Sequence, residues 1–393
     1  MIIQLKNIYD FIIKKTYNTI FAKKILSHQV IHNIGFTGEP KKRILFSYTL
    51  DALFKPIDEI SFSTNRQECL ILLNTFISEG YIVDFIDCKN WNWFSSFEYD
   101  IVFGFGHPYR NAKVKPYGKR ILYCTEQHPL FSYEEEKKRI DYLFLRHAIK
   151  WKIERSLTYY QNDDYLDVEK LVVLSDFSKE YLLEKNIITD PSKIFVINPT
   201  GIAPLNNFTP QKCKVNDDII WLGSRGIVHK GLDILIDAFI KSDFECNLHI
   251  CGVTLADIKK LKKIVNCDRV IFHGRVAINS DYFLNIIERS NFIISLSCSE
   301  SCSTSILTGM RHGLIPIITS ATSVNIGDNG FILNDYNVDS VTRKLNEINN
   351  INKNNVNLLN EMRDNNFKIA NEYYSLHSFS RRTMDLMTFI AKK

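Results

Sequence analysis

The stretch NFIISLSCSESCSTSILTGMRHGLIPIIT, Asn291 to Thr319, holds a strand-like run, a loop with one acid and a helix-like run in succession. Its first part, NFIISL, is short, apolar and rich in β-branched residues, which favours a buried strand. TSILTGM, beginning at Thr304, predicts a short helix closed by Gly313, and LIPIIT begins another strand. The acid, Glu300, therefore lies between the end of a strand and the start of a helix, where open α/β sheets bind ligands.

Strand-like and helix-like segments alternate along two separate parts of the chain. The first part runs from Arg43 to about Ile202 and the second begins at Asp218. Between Thr200 and Asp217 the alternation stops, in a segment with two prolines and few large apolar residues that reads as a linker. Because βα alternation implies a parallel sheet, we predict an α/β protein with two Rossmann-like domains facing a cleft.

The same pattern sets the predicted domain boundaries. We expect an N-terminal helical extension over 1–40, a first Rossmann-like domain over 41–203 and a second over 204–375. The last segment, 376–393, contains the amphipathic run SFSRRTMDLMTFIAKK, and we expect it to form a helix that packs back on the first domain. Within the first domain, a long charged helix is predicted from about 133 to 155.

Composition limits the class of protein. The chain has 393 residues, of which 45% are hydrophobic and 24% charged, as in globular proteins with a substantial core. The net charge is +5, but no long Lys/Arg stripe with interleaved aromatic residues is present, so nucleic acid is not an expected partner. Nine scattered cysteines without a CxxC pair indicate reduced thiols in a cytoplasmic protein and no metal site.

The N-terminal segment MIIQLKNIYDFIIKKTYNTIFAKKIL, residues 1–26, contains short apolar patches separated by charged residues. These interruptions make it unsuitable as a membrane span, and its periodicity predicts a basic amphipathic helix. Such a helix either packs on the domain surface or contacts an anionic membrane peripherally. We favour packing on the surface, and peripheral contact at the inner face of a membrane stays an alternative.

The segment WLGSRGIVHKGLDILIDAF, Trp221 to Phe239, opens the second alternating part with a strand, a loop and a helix. Gly223 and Gly226 would let the backbone approach a ligand closely. Arg225 and Lys230, placed before a helix N-terminus, suit a diphosphate, because arginine binds phosphate oxygens bidentately and lysine adds a point charge. An ordinary solvated loop with surface cations is the competing interpretation.

The helix start in the opening stretch offers a second group of candidates. Ser303, Thr304 and Ser305 lie where free backbone N–H groups could hold phosphate oxygens. Glu300 could accept hydrogen bonds from sugar hydroxyls. Alternatively, one of the hydroxyl residues is a simple N-cap and Glu300 is an acid favoured by the helix dipole.

These segments resemble the retaining nucleotide-sugar glycosyltransferases of the GT-B fold, specifically the large family-four group. The resemblance covers residues 219–333 and is carried by HKGLDILIDAF, VIFHGRV and the opening stretch. KLVVLSDFSKEYLLEKNIITDPSKIFVINPTGI, residues 170–202, is similar to the run that leads into the linker of these enzymes. The resemblance is weak over the first 120 residues, where acceptors differ between members.

The resemblance implies roles for particular residues. Glu300 matches the glutamate that contacts the donor sugar, and Arg225 and Lys230 would face the diphosphate. A second glutamate, which holds the ribose in the family, would stand eight positions after Glu300, where this chain has Thr308. A threonine hydroxyl can bond one ribose oxygen but is not a charged bidentate acceptor.

A histidine of the first domain is also implied near the donor sugar. The candidates are His128 in YCTEQHPLF and His107 in GFGHPYR, and both follow strand-like runs. We prefer His128, because its strand directly precedes the long helix. A structural histidine followed by a turn proline is the alternative.

The resemblance implies transfer of a sugar from a nucleotide-diphosphate donor to an acceptor hydroxyl with retention of configuration, without a cofactor or a metal. The acceptor would be a glycan or a lipid-linked sugar, in the biosynthesis of a surface polysaccharide or lipopolysaccharide. Two alternatives stay open. The first is a protein that binds sugar nucleotides without turnover, which the replacement of the second glutamate by Thr308 makes plausible. The second is a GT-B epimerase.

Overall fold

The computed structural model describes most of the chain, namely residues 29–38, 42–55, 63–155, 159–166, 168–205, 208–215, 217–261, 265 and 267–392. The basic amphipathic helix predicted over residues 1–26 lies outside the described residues.

The N-terminal domain is built on a seven-stranded sheet in the order β1-β3-β2-β4-β5-β6-β7. Its strands are β1 Val30–Ile34, β2 Arg43–Tyr48, β3 Ile82–Asp87, β4 Glu98–Gly104, β5 Lys113–Cys124, β6 Lys170–Val173 and β7 Ile194–Val196. All neighbouring pairs are parallel except β1, which runs antiparallel to β3. The helical extension predicted to reach residue 40 is therefore wrong over β1, where Val30 and Ile31 pair with Ile86 and Phe85 at the sheet edge.

Within the described part of the N-terminal domain, the helices are α1 Thr64–Ser78, α2 His107–Asn111, α3 Pro129–His147 and α4 Asp176–Glu184. Helix α3 begins earlier than predicted, because Pro129 suits the first position of a helix. It also ends earlier, at His147, where Ala148 takes the left-handed conformation with φ 54°. Residues 148–155 then run without regular structure, in a segment that reaches the cleft.

The C-terminal domain has a six-stranded, wholly parallel sheet in the order β10-β9-β8-β11-β12-β13. Its strands are β8 Asp218–Leu222, β9 Leu248–Cys251, β10 Val270–Gly274, β11 Ser290–Ser295, β12 Ile315–Thr319 and β13 Phe331–Leu333. Its helices are α5 Leu232–Lys241, α6 Leu255–Leu261, α7 Asp281–Ile287, α8 Thr304–Arg311, α9 Val338–Asn354 and α10 Val356–Tyr373. Strand β11 is buried at every residue, as expected of a central parallel strand covered on both faces.

The last helix, α11 Leu376–Ala391, returns to the N-terminal domain and packs along α1. The hydroxyls of Thr75 and Thr383 lie 2.9 Å apart, and the rings of Phe195 and Phe389 are in contact. The predicted fold class, two Rossmann-like domains with a C-terminal helix packed back on the first, is thereby confirmed.

Of the helices that the structure describes, none combines the length and the apolar character needed to cross a bilayer.

Candidate functional site

A cavity of about 460 Å³ lies between the two domains, at the carboxyl ends of their parallel strands. Its walls come from the segments that follow β5, β8 and β11, together with the start of α8. Parallel strands bring their carboxyl-end loops to one edge of a sheet, and two such edges facing each other enclose a site. The size is in the range of pockets that bind small-molecule ligands.

Two loops of the C-terminal domain are held together at this edge. The backbone N–H of Cys298 donates to the carbonyl of His229 at 2.9 Å, and the His229 ring hydrogen-bonds the carbonyl of Ser299 through Nε2. Gly231, with φ 66°, comes so close to Leu296 that a Cβ at this position would lie 2.4 Å from the Leu296 carbonyl oxygen. The close fit of these loops places Lys230 next to Glu300.

Lys230 and Glu300 form an ion pair at the cavity wall, through Nζ and Oε1. A second cation, Arg155, lies with Nη2 3.5 Å from the same oxygen. Burial on its own would raise the pKa of Glu300, but the charges of Lys230 and Arg155 lower it to about 2. Glu300 is consequently ionised across the physiological range and can only accept hydrogen bonds.

The N-terminus of helix α8 opens on the same cavity, which Ser303, Thr304 and Ser305 all line. Ser303 is the N-cap residue, but its side chain does not cap the helix; its Oγ lies 3.1 Å from Oγ of Ser305 instead. The first turn thus presents backbone N–H groups and hydroxyls toward the cavity without a side-chain cap, an arrangement suited to anions.

Thr308 also lines the cavity, but its hydroxyl is already engaged by the backbone. It donates to the carbonyl of Thr304 at 2.7 Å and accepts from the N–H of Ile202 at 3.0 Å. Ile202 belongs to the segment that connects the two sheets, so Thr308 ties this connection to α8.

His128 does not line the cavity. It is the N-cap residue of α3, and its ring is buried among the aromatic side chains of the N-terminal domain, 4.6 Å from the ring of Tyr165 and 6.0 Å from that of Tyr181. Burial lowers the pKa of His128 to about 4, so the ring is neutral at physiological pH. His128 thus lies behind the cavity wall, between Gln127 and Pro129, which both line the cavity, and its role beside a donor sugar stays a prediction.

His107, the second histidine candidate, lies at the start of α2 beside Trp91 and Asn111, outside the lining of the cavity.

Arg225 and Gly226 are likewise not among the residues that line the cavity, whereas Gly223 is. The Arg225 side chain is exposed. Burial raises the pKa of Glu126 above its ordinary value, and the nearby charges of Arg155 and, more weakly, Arg225 oppose this shift. Gly226, with φ 88°, takes a backbone conformation that residues with a side chain rarely adopt, and it lies beside Arg155, whose Nε would be 3.8 Å from a Cβ at that glycine.

Sequence reasoning missed several residues that line the cavity. Glu126 and Gln127 lie just after β5, separated from it by Thr125, and this position after a strand was the available signal. Gln127 donates through Nε2 to the carbonyl of Glu300 at 3.0 Å, which joins the two domains. His229 directly precedes Lys230 in the loop already singled out. Arg155 lies in the irregular segment 148–155, and no sequence pattern indicated that it reaches the cleft.

Among the residues that the structure describes, no group of three or more His, Cys, Asp or Glu side chains has an arrangement that could hold a metal ion.

Comparison with protein families gives one match. Residues 216–350, which carry both loops of the cavity wall on the C-terminal side, match the sequence model of the family described as glycosyl transferases group 1. No curated protein has a sequence that matches this chain.

The solved structures that resemble this chain share the GT-B fold. A glycosyltransferase from Rickettsia africae has 17% identity and a TM-score of 0.57, covering 90% of this chain and 100% of its own. Sucrose-phosphate synthase from Thermosynechococcus elongatus has 11% identity and a TM-score of 0.61, covering 89% and 98%. HepE from Anabaena, solved with UDP and glucose, has 13% identity and a TM-score of 0.54, covering 89% and 100%.

Proposed function

We propose that this protein transfers a sugar from a nucleotide-diphosphate donor to an acceptor hydroxyl, with retention at the anomeric carbon. The observation that carries the proposal is the Lys230–Glu300 pair in the cavity between the domains, facing the uncapped start of α8. The family match spans these residues, which supports the same chemistry.

In this proposal the donor diphosphate lies between Lys230 and the first turn of α8. Lys230 supplies a point charge, and the backbone N–H groups of Thr304 and Ser305 donate to phosphate oxygens, whereas the N–H of Ser303 already donates to the carbonyl of Thr322 at 3.1 Å and leaves only the Ser303 hydroxyl for the ligand. Gly223, at the end of β8, allows the ligand close to the backbone. Arg225 has an exposed side chain that can turn toward the outer phosphate.

Glu300 would accept hydrogen bonds from hydroxyls of the donor sugar, since it is ionised at neutral pH. Its carboxylate is not a proton donor, so the proposal gives it binding and orientation rather than acid catalysis.

The reaction itself breaks the bond between the anomeric carbon and the β-phosphate oxygen. The acceptor oxygen forms its bond to the same face of that carbon, and the acceptor proton passes to the leaving diphosphate. Lys230 and the helix N–H groups stabilise the negative charge that develops on the diphosphate, which is commonly the largest contribution to catalysis.

The acceptor would enter from the N-terminal domain, whose side of the cavity includes Tyr48, Asn65 and Thr125. These polar side chains suit a hydroxyl-rich glycan or lipid-linked sugar, in the biosynthesis of a surface polysaccharide or lipopolysaccharide. Peripheral membrane contact by the basic segment over residues 1–26 would bring a lipid-linked acceptor within reach. HepE was solved with UDP, so uridine nucleotides are the first donors to test.

The test is donor hydrolysis and sugar transfer with UDP-, GDP- and ADP-sugars, using the wild-type chain and Lys230→Ala. We expect the substitution to abolish transfer while thermal unfolding stays cooperative. Lys241→Ala, which removes an exposed lysine of α5, is the control and should retain full activity. Unchanged turnover in Lys230→Ala would falsify the phosphate assignment, and binding of a sugar nucleotide without any turnover would favour the non-catalytic alternative.

A further inference from the structure

Two cations from different domains converge on a single oxygen atom. Lys230 Nζ contacts Oε1 of Glu300, and Arg155 Nη2 lies 3.5 Å from the same Oε1. Lys230 belongs to the loop before α5, whereas Arg155 ends the irregular segment after α3 of the N-terminal domain. Glu300 balances one of these two positive charges, so the two cations together can also hold an anionic ligand.

Arg155 has donors available for such a ligand. Its Nη1 lies 3.3 Å from Oε1 of Glu126, and its Nε is buried without a hydrogen-bond partner. The guanidinium lines the cavity and presents a planar set of donors, which matches the geometry of phosphate oxygens. A buried donor without a partner is costly, and a bound phosphate oxygen would relieve that cost.

Glu136 fixes the position of both cation-bearing loops. Its fully buried carboxylate accepts the backbone N–H of Glu154 through Oε1 at 2.9 Å and that of Arg155 through Oε2 at 3.2 Å. The same Oε2 lies 3.8 Å from Nδ1 of His229, the neighbour of Lys230. One carboxylate on α3 therefore fixes the positions of two segments, the one that contains Arg155 and the loop that carries Lys230.

We propose that Arg155 is the cation that the N-terminal domain contributes to the diphosphate of the donor, and that Glu136 is the positioning residue that holds it there. This inference rests on the proposed function. In the structure the two cations share the charge of Glu300. In the proposed complex Arg155 binds one phosphate of the diphosphate and Lys230 binds the other. Both domains then contribute a cation to the binding of one donor molecule.

The first experiment measures binding by calorimetry, with UDP, GDP and ADP as diphosphate probes and the matching nucleosides as references. Arg155→Gln should weaken binding of the diphosphate that the wild-type chain prefers by roughly 10- to 100-fold. Binding of the nucleoside should not change. Arg155→Lys should recover part of the loss, and Lys152→Ala, at an exposed lysine of the same segment, should bind as the wild type does.

Two outcomes overturn the inference in distinguishable ways. Equal affinity of wild type and Arg155→Gln for the diphosphate overturns the role of Arg155 and leaves the proposed function intact. Absence of binding of every diphosphate to the wild-type chain overturns the proposed function and this inference together.

The second experiment tests the positioning role of Glu136. Glu136→Gln keeps the size of the side chain but offers one acceptor oxygen where the carboxylate offers two. We expect diphosphate affinity to fall as in Arg155→Gln, and the double variant to be no weaker than Arg155→Gln alone, because both changes remove one interaction. A lower melting temperature with unchanged diphosphate affinity, or losses that add in the double variant, would show that Glu136 is merely structural.

Discussion

The carboxylate of Glu68 accepts two hydrogen bonds from Thr200, one from its backbone N–H at 2.6 Å and one from its hydroxyl at 2.8 Å. Glu68 is buried on α1 of the N-terminal domain, and Thr200 lies in the segment that connects the two sheets. Burial raises the pKa of Glu68 to about 7, and the hydrogen bonds from Thr200 oppose this shift. The connection between the domains is thus held by a side chain that changes charge near neutral pH.

This contact predicts a pH-dependent stability that Glu68→Gln removes. The pKa of Glu68 in the folded chain lies above its ordinary value of 4.5, so its contribution to the free energy of unfolding is complete below pH 4.5. The contribution is lost as the pH rises through about 7. Wild type and Glu68→Gln should be similarly stable to urea at pH 5, and the variant should be more stable by on the order of 2 kcal/mol at pH 8.

A matched control for this measurement is Glu184→Gln, at an exposed glutamate of α4. Its stability difference from wild type should be the same at both pH values. Parallel pH profiles for wild type and Glu68→Gln would refute the role assigned to the buried carboxyl.

Glu300 should show the opposite dependence on pH. Its pKa in the folded chain is about 2, below the ordinary 4.5, so it stabilises the fold above pH 4.5 and loses this effect as the pH falls through 2. Glu300→Gln also leaves Lys230 and Arg155 without their shared counter-charge. We expect it to lower the free energy of unfolding by about 3 kcal/mol at pH 7, and by less at pH 3.

Urea unfolding of wild type and Glu300→Gln at the two pH values checks this expectation. A loss of stability that is equal at pH 7 and pH 3 would contradict an ionised Glu300 in the fold.

Substitutions of Thr308 test whether its hydroxyl stabilises the fold or binds the nucleotide. Thr308→Val removes the acceptor of the Ile202 N–H and leaves that buried donor unsatisfied, at a cost of about 1–3 kcal/mol. Thr308→Ser keeps the hydroxyl and should stay within about 1 kcal/mol of the wild type. Chemical unfolding of the three chains measures both values.

The same variants test whether the Thr308 hydroxyl binds the ribose of the nucleotide. If the Thr308 hydroxyl serves the connecting segment only, Thr308→Val at a temperature where it is folded should bind nucleosides with wild-type affinity. A selective loss of nucleoside affinity in Thr308→Val, rescued in Thr308→Ser, would instead assign the hydroxyl to the ribose.

Because α11 packs on the N-terminal domain, substitutions on its buried face should lower the free energy of unfolding much more than substitutions on its exposed face. Leu386 is completely buried, so Leu386→Ala should lower the free energy of unfolding by about 2–5 kcal/mol. Met384 is half exposed on the same helix, and Met384→Ala should cost under about 1 kcal/mol. Similar values for the two variants in equilibrium unfolding would contradict the docking of α11.

Sequence patterns were sufficient for the architecture and for one side of the site. The β-branched run of β11 and the glycine-containing loop before α5 indicate where two parallel strands end. The sequence alone therefore places Lys230 and Glu300 at one edge of a sheet. The start of α8 was predicted at the residue where it begins. These features depend on local periodicity and on the rule for parallel sheets, which the sequence carries directly.

The N-terminal side of the site was not predictable in the same way. His128 follows a strand as expected, yet the helix that begins at Pro129 buries its ring beside Tyr165. Arg155 lies in an irregular segment whose course depends on two backbone hydrogen bonds to a carboxylate about twenty residues earlier in the chain, Glu136. Neither outcome has a signature in local composition.

The sequence by itself determined that this protein has two α/β domains and a basic loop facing an acid at the edge of the second sheet. Only the tertiary structure decided which cations meet that acid, because Arg155 and Lys230 come from different domains and are distant in the chain. Local propensity acts over a few neighbouring residues, whereas the position of Arg155 depends on how α3 packs against a loop of the other domain. Contacts between segments that are distant in the chain arise from packing and charge in the folded protein, so the cations that meet Glu300 are known only from the tertiary structure.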